Sequence, residues 1–280
     1  MITNGLSVDV EDWFQVGAFE NTISRDDWNS LEHRVEGNTD RVLALFDAAG
    51  VKATFFTLGW VAERYPALIR RIAEAGHEVA SHGWDHARVF TMGPEQFRAD
   101  LAAARTALED AAGVAVTGYR APSFSIDTRT PWAHEVLAEA GYAYSSSIAP
   151  IRHDHYGWPD APRGAYQPVC GSELVELPIT LARFLGKEIT AGGGFFRLLP
   201  SGVTNRAVRD ANRLKRAAIF YFHPWEIDPG QPRVANAPFK SRLRHYARLG
   251  AMAGKLEKLI AGHRWGRIDE IAAEAVRRPQ

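Results

Sequence analysis

Cysteine is nearly absent from this sequence, since Cys170 is the only one in 280 residues. A single thiol cannot form an internal disulfide, so the fold does not depend on an oxidising compartment. Cysteine-ligated zinc modules are excluded as well, because they need several thiolates close together. We therefore expect a chain stabilised by its hydrophobic core, with histidine and carboxylate as the ligands available to a metal ion.

Net charge and long apolar runs are also lacking. The 33 Lys and Arg residues balance 33 Asp and Glu residues, which argues against nucleic acid as the main partner and suits a neutral glycan. No run approaches the length of about 18 apolar residues that a transmembrane helix needs. The first motif of interest begins at Asp9, which leaves no room before it for a signal peptide, so we expect a cytoplasmic protein.

What the sequence does contain is an alternation of strand-like and helix-like segments, as in parallel β/α units. Gly50 and Gly76 follow two of the helical segments, where glycine supplies a left-handed cap. Predicted helices cover 40–49, 61–75, 94–112, 131–140 and 201–216, and predicted strands lie near 54–57, 77–80, 117–120, 174–178 and 217–222. At 46% hydrophobic content the chain can bury the core of one barrel-sized enzyme domain.

Two histidines follow a strand-like run that ends at Ala80, in the segment Ser81-His-Gly-Trp-Asp-His86. Side chains at positions i and i+4 share one face of a helical turn, so His82 and His86 could bind one metal ion. The alternative is that histidine serves here as an ordinary polar residue at a helix start.

Three acids follow another strand-like run near the N-terminus. On a strand, Asp9 and Glu11 point to the same face, whereas Asp12 points away unless the chain turns there. One carboxylate could bind the metal while another stays free as a base.

An arginine and a third histidine stand at two later strand ends. Arg120 can hold a carboxylate in two-pronged geometry, and His223 can serve as a general acid. Taken singly, Arg120 could equally form a surface ion pair, and His223 could be a hydrogen-bonded core histidine.

In chain order, these four segments resemble the motifs of the NodB-type polysaccharide deacetylases, carbohydrate esterase family 4, over residues 6–230. Segments beginning at Asp9, Arg152, Gly192 and Phe222 look more narrowly like the subfamily found in bacterial exopolysaccharide loci that use an exosortase. The resemblance implies an α/β fold, a distorted (β/α) barrel at 1–235 followed by a C-terminal helical extension at 236–280 packed on it.

The resemblance also implies hydrolysis of sugar N-acetyl groups with a divalent metal ion, zinc being the expected one. Asp9 would be the catalytic base, Arg120 would hold that base in place, and His223 would protonate the departing nitrogen. One carboxylate, His82 and His86 would hold the metal.

The first motif departs from the usual family pattern of two adjacent aspartates, with the base first and the ligand second. Val10 follows Asp9 here, and the acids resume at Glu11 and Asp12. We expect Glu11 to be the metal ligand, with Asp12 as the alternative if a turn begins at Val10.

A segment rich in aromatic residues, histidine, proline and glycine, 152–168, predicts a long ordered loop. Aromatic rings suit the apolar faces of sugars, so the loop either binds substrate or forms a rigid structural element. The residues predicted to bind substrate are His153, Asp154, Tyr156, Trp158 and Trp225.

Apolar residues recur every three to four positions from Phe239 to Ile260, which predicts one amphipathic helix. Its basic residues either form a solvated face or contact a membrane surface or a biosynthetic partner. Those residues are Arg242, Arg244, Arg248, Lys255 and Lys258.

Three functional hypotheses follow. The leading one is a metal-dependent deacetylase that acts on N-acetylhexosamine units of a bacterial exopolysaccharide or its precursor. The second is a hydrolase of the same fold acting on another C–N bond, in a peptidoglycan sugar or a small cyclic amide. The third is a glycan-binding barrel without turnover.

Overall fold

Short parallel strands form the central sheet of the protein. The computed structural model describes residues 2–152 and 156–277. Its strands are β1 (Asn4–Val10), β2 (Thr54–Thr57), β3 (Glu78–Ser81), β4 (Gly118–Tyr119), β5 (Tyr144–Ser145), β6 (Val175–Glu176), β7 (Leu181–Phe184), β8 (Lys187–Thr190), β9 (Ile219–Phe222) and β10 (Trp265–Gly266). All of them except the antiparallel hairpin β7–β8 belong to one eight-stranded sheet within the described residues.

Helices alternate with these strands and cover the outside of the sheet. They are α1 (Val35–Ala49), α2 (Gly59–Arg64), α3 (Pro66–Glu74), α4 (Pro94–Ala112), α5 (Ala133–Glu139), α6 (Gly193–Leu198), α7 (Ser201–Arg213), α8 (Phe239–Tyr246), α9 (Leu249–Gly262) and α10 (Ile268–Arg277). None of the helices in residues 2–152 and 156–277 is both long enough and apolar enough to cross a bilayer.

The strand order is that of a half-barrel. The path runs β6-β5-β4-β3-β2-β1, and β9 pairs with β1 as well. Beyond β6 the chain returns towards β9, where the Thr180 backbone N–H donates to the Ile219 carbonyl at 3.1 Å. The predicted α/β barrel is therefore confirmed as a half-barrel of parallel strands with covering helices.

Strand β1 lies at the centre of this sheet, and all of its residues are buried. Because side chains alternate along a strand, its even-numbered residues Leu6, Val8 and Val10 pack into the large core beneath the helices. Ser7 and Asp9 face the barrel interior instead. This alternation places Asp9 on the inside, at the carboxyl end of the strand.

Two predicted helices are each divided in the structure. The segment 61–75 breaks at Tyr65 because Pro66 starts a new helix and disfavours helical geometry in the residue before it. The segment from Phe239 to Ile260 breaks between α8 and α9, where Ala247 is extended and Arg248 has a φ of 59°. One continuous helix over that segment was therefore a wrong prediction.

The segment after residue 235 is largely helical, and it also adds a strand to the sheet. Strand β10 pairs with β1 in parallel register, Asn4 opposite Trp265 and Gly5 opposite Gly266. A two-residue strand leaves no periodic pattern in the sequence, so this connection was not predicted. The C-terminal segment is thereby joined to the central strand of the barrel.

Candidate active site

The four segments singled out in the sequence meet at one edge of the sheet. Glu11, His82, Arg120 and His223 each directly follow the last residue of a parallel strand, β1, β3, β4 and β9 respectively. The carboxyl ends of parallel strands share one rim of a barrel, so side chains far apart in the chain converge there.

Glu11, His82 and His86 form a group that could hold a metal ion, since one potential ligand atom from each lies within 4.8 Å of the others. The Nε2 atom of His86 lies 2.9 Å from Oε2 of Glu11. That oxygen is buried and accepts no hydrogen bond of ordinary geometry from the described residues. An unsatisfied carboxylate oxygen facing two imidazoles fits a site for a divalent cation.

A loop, and not a helical turn, brings the two histidines together. Residues 82–86 are non-helical, and Gly83 and His86 have φ angles of 75° and 61°. His82 Nδ1 lies 2.8 Å from the Arg120 carbonyl oxygen, which orients the ring and leaves Nε2 for a ligand. The helical-turn prediction was wrong, although the two rings do meet, with centroids 5.5 Å apart.

The electrostatics favour the protonation states that a cation requires at Glu11 and His82. Burial would raise the pKa of Glu11, but the charges of His86 and His223 outweigh burial and lower the pKa to about 2. Burial lowers the pKa of His82 to about 4, even though the nearby Asp9 acts in the opposite direction. The carboxylate is therefore ionised and the His82 imidazole neutral near pH 7.

Asp12, the alternative metal ligand, accepts backbone hydrogen bonds at the start of a helix instead. Its Oδ2 accepts the backbone N–H groups of Arg34 and Val35 at 2.7 and 3.0 Å, at the start of α1. Its Oδ1 accepts the N–H of Trp13 at 2.8 Å. Asp12 thus caps a helix from outside it, and the geometry places Glu11, not Asp12, in the metal-ligand group.

Asp9 is held by a fully buried arginine. Arg120 donates through one terminal nitrogen to Asp9 Oδ1 at 2.6 Å and to Ser7 Oγ at 2.7 Å. Its other nitrogens donate to the backbone and side-chain oxygens of Ser146. A guanidinium with no exposed surface is not a surface ion pair, so that alternative for Arg120 is excluded.

His223 lies on the opposite side of Glu11 from His86 and is the most exposed of the site's side chains, at 19%. Its Nε2 lies 3.5 Å from Glu11 Oε1, and its Nδ1 lies 2.7 Å from Glu226 Oε1. Burial lowers its pKa, but the carboxylates of Glu11 and Glu226 raise it to about 9. The ring can therefore carry a proton at the edge of the site.

Glu226 and Arg197 belong to the site and were not assigned from the sequence. Arg197 is 1% exposed, and one of its terminal nitrogens lies 3.4 Å from Glu226 Oε2. The other donates to the Arg244 carbonyl at 2.7 Å. The spacing of His223 and Glu226 could have revealed Glu226, because residues three apart in a helical turn meet. No local pattern connects Arg197 to either.

The residues predicted to bind substrate lie in different environments in the structure. Trp225 is 6% exposed, and its ring stacks against His223 and His245 with centroids 5.1 and 4.3 Å away. Its indole N–H donates to Glu11 Oε1 at 3.2 Å. These contacts occupy the Trp225 ring and its N–H group, and substrate binding by Trp225 stays a prediction.

Tyr156 and Trp158 are partly buried. The Tyr156 ring lies 6.2 Å from Phe124, which neighbours Arg120, so Tyr156 is close to the site. Trp158 packs against the main core. His153 and Asp154, the other two residues predicted to bind substrate, lie outside the described residues.

Two family models match adjacent parts of the chain. Residues 23–145 match "Polysaccharide deacetylase", and residues 146–273 match "Domain of unknown function (DUF3473)". His82 and Arg120 fall in the first match and His223 in the second. Residues 23–145 are therefore similar to a polysaccharide deacetylase domain, and the candidate site contains residues from both matched regions.

An individual relative shows the same similarity. The chain is 30% identical to a peptidoglycan deacetylase of Helicobacter pylori over 149 residues, which are 53% of this chain and 49% of that protein. The chain thus spans about half the length of this relative.

Solved structures share the fold. A Mycobacterium smegmatis protein, provisionally assigned as a polysaccharide deacetylase, superposes with a TM-score of 0.65 at 24% identity, covering 99% of this chain and 94% of the other. An acetyl xylan esterase of Clostridium thermocellum, determined with a cobalt ion, gives a TM-score of 0.50 at 17% identity, covering 97% and 91%.

Proposed function

We propose that this chain, whose residues 23–145 are similar to a polysaccharide deacetylase domain, is a metal-dependent hydrolase that removes N-acetyl groups from sugars. The observation that carries the proposal is the meeting of three groups at one rim of the barrel. These are a carboxylate held by a buried arginine, a Glu-His-His ligand group, and a partly exposed histidine oriented by a second carboxylate.

Each group has a distinct task in amide hydrolysis. Asp9, fixed by Arg120, would accept the proton of the attacking water. His223 would donate its Nε2 proton to the departing sugar nitrogen, while Glu226 holds the opposite ring nitrogen. A divalent cation on Glu11, His82 and His86 would supply Lewis-acid stabilisation of the acetyl oxygen. Two imidazoles and one carboxylate suit zinc, which we propose as the native metal.

For the substrate, we propose N-acetylhexosamine units of a bacterial exopolysaccharide or its precursor. The motif segments beginning at Asp9, Arg152, Gly192 and Phe222 support this choice, since they look like the exopolysaccharide-locus subfamily. The peptidoglycan deacetylase of H. pylori favours a second candidate, the N-acetylated sugars of peptidoglycan. The site chemistry is the same for both.

Metal content and acetate release together test the proposal. Wild-type protein is expected to bind about one metal ion per chain and to release acetate. His82→Ala and Glu11→Gln should lose the metal and the activity, whereas Asp12→Asn, the matched control for Glu11, should retain the metal. Metal retained in Glu11→Gln but lost in Asp12→Asn would contradict the ligand assignment.

A substrate panel separates the functional candidates. Acetate release is measured from partially acetylated exopolysaccharide, peptidoglycan and chitin oligomers. A preference for exopolysaccharide supports the proposed substrate, and a preference for peptidoglycan favours the second candidate. Glycan binding by the metal-loaded wild type without release of acetate from any member of the panel would overturn the enzymatic proposal in favour of a binding barrel.

A further inference from the structure

Helix α8 exposes two large apolar side chains to solvent. Phe239 is 76% exposed and Leu243 is 60% exposed. They are four residues apart and therefore lie on one face of the helix. His245, which points into the protein, is 3% exposed and stacks on Trp225. The outward face of α8 thus displays an apolar pair that the described part of the chain leaves uncovered.

Basic side chains surround this pair. Lys240, Arg242, Arg244 and Arg248 are all exposed, and among the described residues no salt bridge reaches any of them. The sequence has no Asp or Glu between residues 229 and 256. At 100° per residue, Lys240 and Arg244 fall on one side of the apolar pair and Arg242 on the other. The face is therefore apolar at its centre and positive at its edges.

Lys255, which the sequence had grouped with these cations, does not belong to the surface. Its ammonium donates to the carbonyl oxygens of Phe196, Arg197 and Leu199, at the C-terminal end of α6. This contact caps a helix end, where a positive charge is favourable. Lys258 lies on α9 and is therefore not part of the outward face of α8.

We propose that α8 docks on an anionic lipid bilayer, with Phe239 and Leu243 inserted at the headgroup boundary. An aromatic and an aliphatic residue edged by cations, in a stretch of sequence without Asp or Glu from 229 to 256, match the composition of interfacial membrane helices. A stable protein partner would bury about 800 Å² on each side, more than two protruding side chains offer. The occupant that the charge and the size of this surface favour is therefore a bilayer.

The docking surface lies close to the candidate active site. His245, on the inner side of α8, stacks on Trp225, and Trp225 donates to Glu11. A bilayer on the outward face of α8 would therefore be separated from Glu11 by this one helix and two aromatic rings. The proposal does not depend on the deacetylase activity, because it rests on the surface alone.

Vesicle co-sedimentation of the full chain tests it. We expect binding to vesicles of phosphatidylcholine with added phosphatidylserine, weaker binding to phosphatidylcholine alone, and release by salt. The double variant Phe239→Ser/Leu243→Ser should lose at least about tenfold in affinity, and Lys240→Gln about fivefold. Leu185→Ser, the matched control, removes a leucine that is 86% exposed on the β7–β8 hairpin and should bind like wild type.

Three results would overturn the proposal. They are no binding to either vesicle type, equal loss in the Leu185→Ser control, and retention of binding in the double variant. A concentration-dependent dimer that the double variant abolishes, without vesicle binding, would instead assign the apolar pair to a second copy of the chain. Thermal unfolding and acetate release from a soluble oligosaccharide, measured on every variant, report folding and the proposed activity separately from docking.

Discussion

Replacing Glu226 by glutamine is expected to slow amide hydrolysis while leaving metal binding intact. Glu226 is fully buried, and its Oε1 lies 2.7 Å from Nδ1 of His223. Glutamine has nearly the same shape and can still present an oxygen to that nitrogen. The substitution therefore removes the negative charge behind the proposed acid with little change in packing.

The size of the effect follows from the hydrogen bond that changes. A hydrogen bond to a charged group contributes about 1.5–3 kcal/mol, against about 1 kcal/mol for a neutral one. The difference of about 0.5–2 kcal/mol lowers kcat by about 2- to 30-fold. This is less than the factor of about 10²–10⁴ that an entire general acid contributes, because His223 itself remains.

Two substrates distinguish a loss of acid positioning from a general disturbance. Release of a sugar amine requires protonation of nitrogen, whereas an aryl acetate has a leaving group that departs as an anion. Glu226→Gln should therefore lower kcat on the N-acetyl sugar with little change in KM, and leave aryl acetate hydrolysis near the wild-type rate. Elemental analysis should find the metal content unchanged.

The matched control is Glu176→Gln. Glu176 is also fully buried, but its Oε1 accepts the backbone N–H groups of Ser147 and Ile148. If Glu226→Gln lowers both substrate rates equally, or if Glu176→Gln shows the same selective loss on the amide, the positioning role of Glu226 is refuted. Thermal unfolding of both variants measures the cost of removing a buried carboxylate.

Three further predictions follow from the same structure. Asp9→Asn should lower kcat by about 10²–10⁴-fold with metal content unchanged, and loss of the metal instead would make Asp9 a ligand. Gly83→Ala should weaken metal binding in a titration, because residue 83 has a φ of 75° and its added Cβ would lie 3.0 Å from Asp100 Oδ2. Gly113→Ala is the control: Gly113 has a φ of 70° with open space around it, so this variant should show only the destabilisation caused by backbone strain. Burial raises the pKa of Glu78 to about 8 from 4.5, so the folded state keeps a proton that the unfolded chain loses. The unfolding free energy should therefore fall as pH rises from 4.5 to about 8, by at most about 1.4 kcal/mol per pH unit. Urea titrations across this pH range should show that the unfolding free energy of Glu78→Gln depends less steeply on pH.

Local sequence patterns predicted the alternation of strands and helices, and the family resemblance implied the barrel at whose rim the site residues meet. The strand-like runs predicted to end at Ala80 and Phe222 end at Ser81 and Phe222 in the structure, and parallel strands place such ends together. The two-residue alternation of a strand also favoured Glu11 over Asp12 as the residue sharing the face of Asp9. The strand ends and the alternation of side chains need only the geometry of one element.

Inferences that required contacts between elements were less successful. The turn of five residues from His82 to His86 depends on two left-handed residues, and the packing of Gly83 against Asp100 is not visible in the sequence. His245 stacks on the Trp225 ring from twenty residues further along the chain, a contact that no local pattern indicates. Strand β10 is too short to leave a pattern of its own.

The sequence by itself determined the alternation of strands and helices, the strand ends and the residue types available for chemistry, because periodicity and composition are local properties. Only the tertiary structure showed through which contacts distant side chains act together. Arg197 reaches Glu226 across 29 positions of the chain, and Arg120 reaches Asp9 across 111. Such pairings arise when the sheet closes and buried charges must find partners, so no pattern within a single segment can specify them.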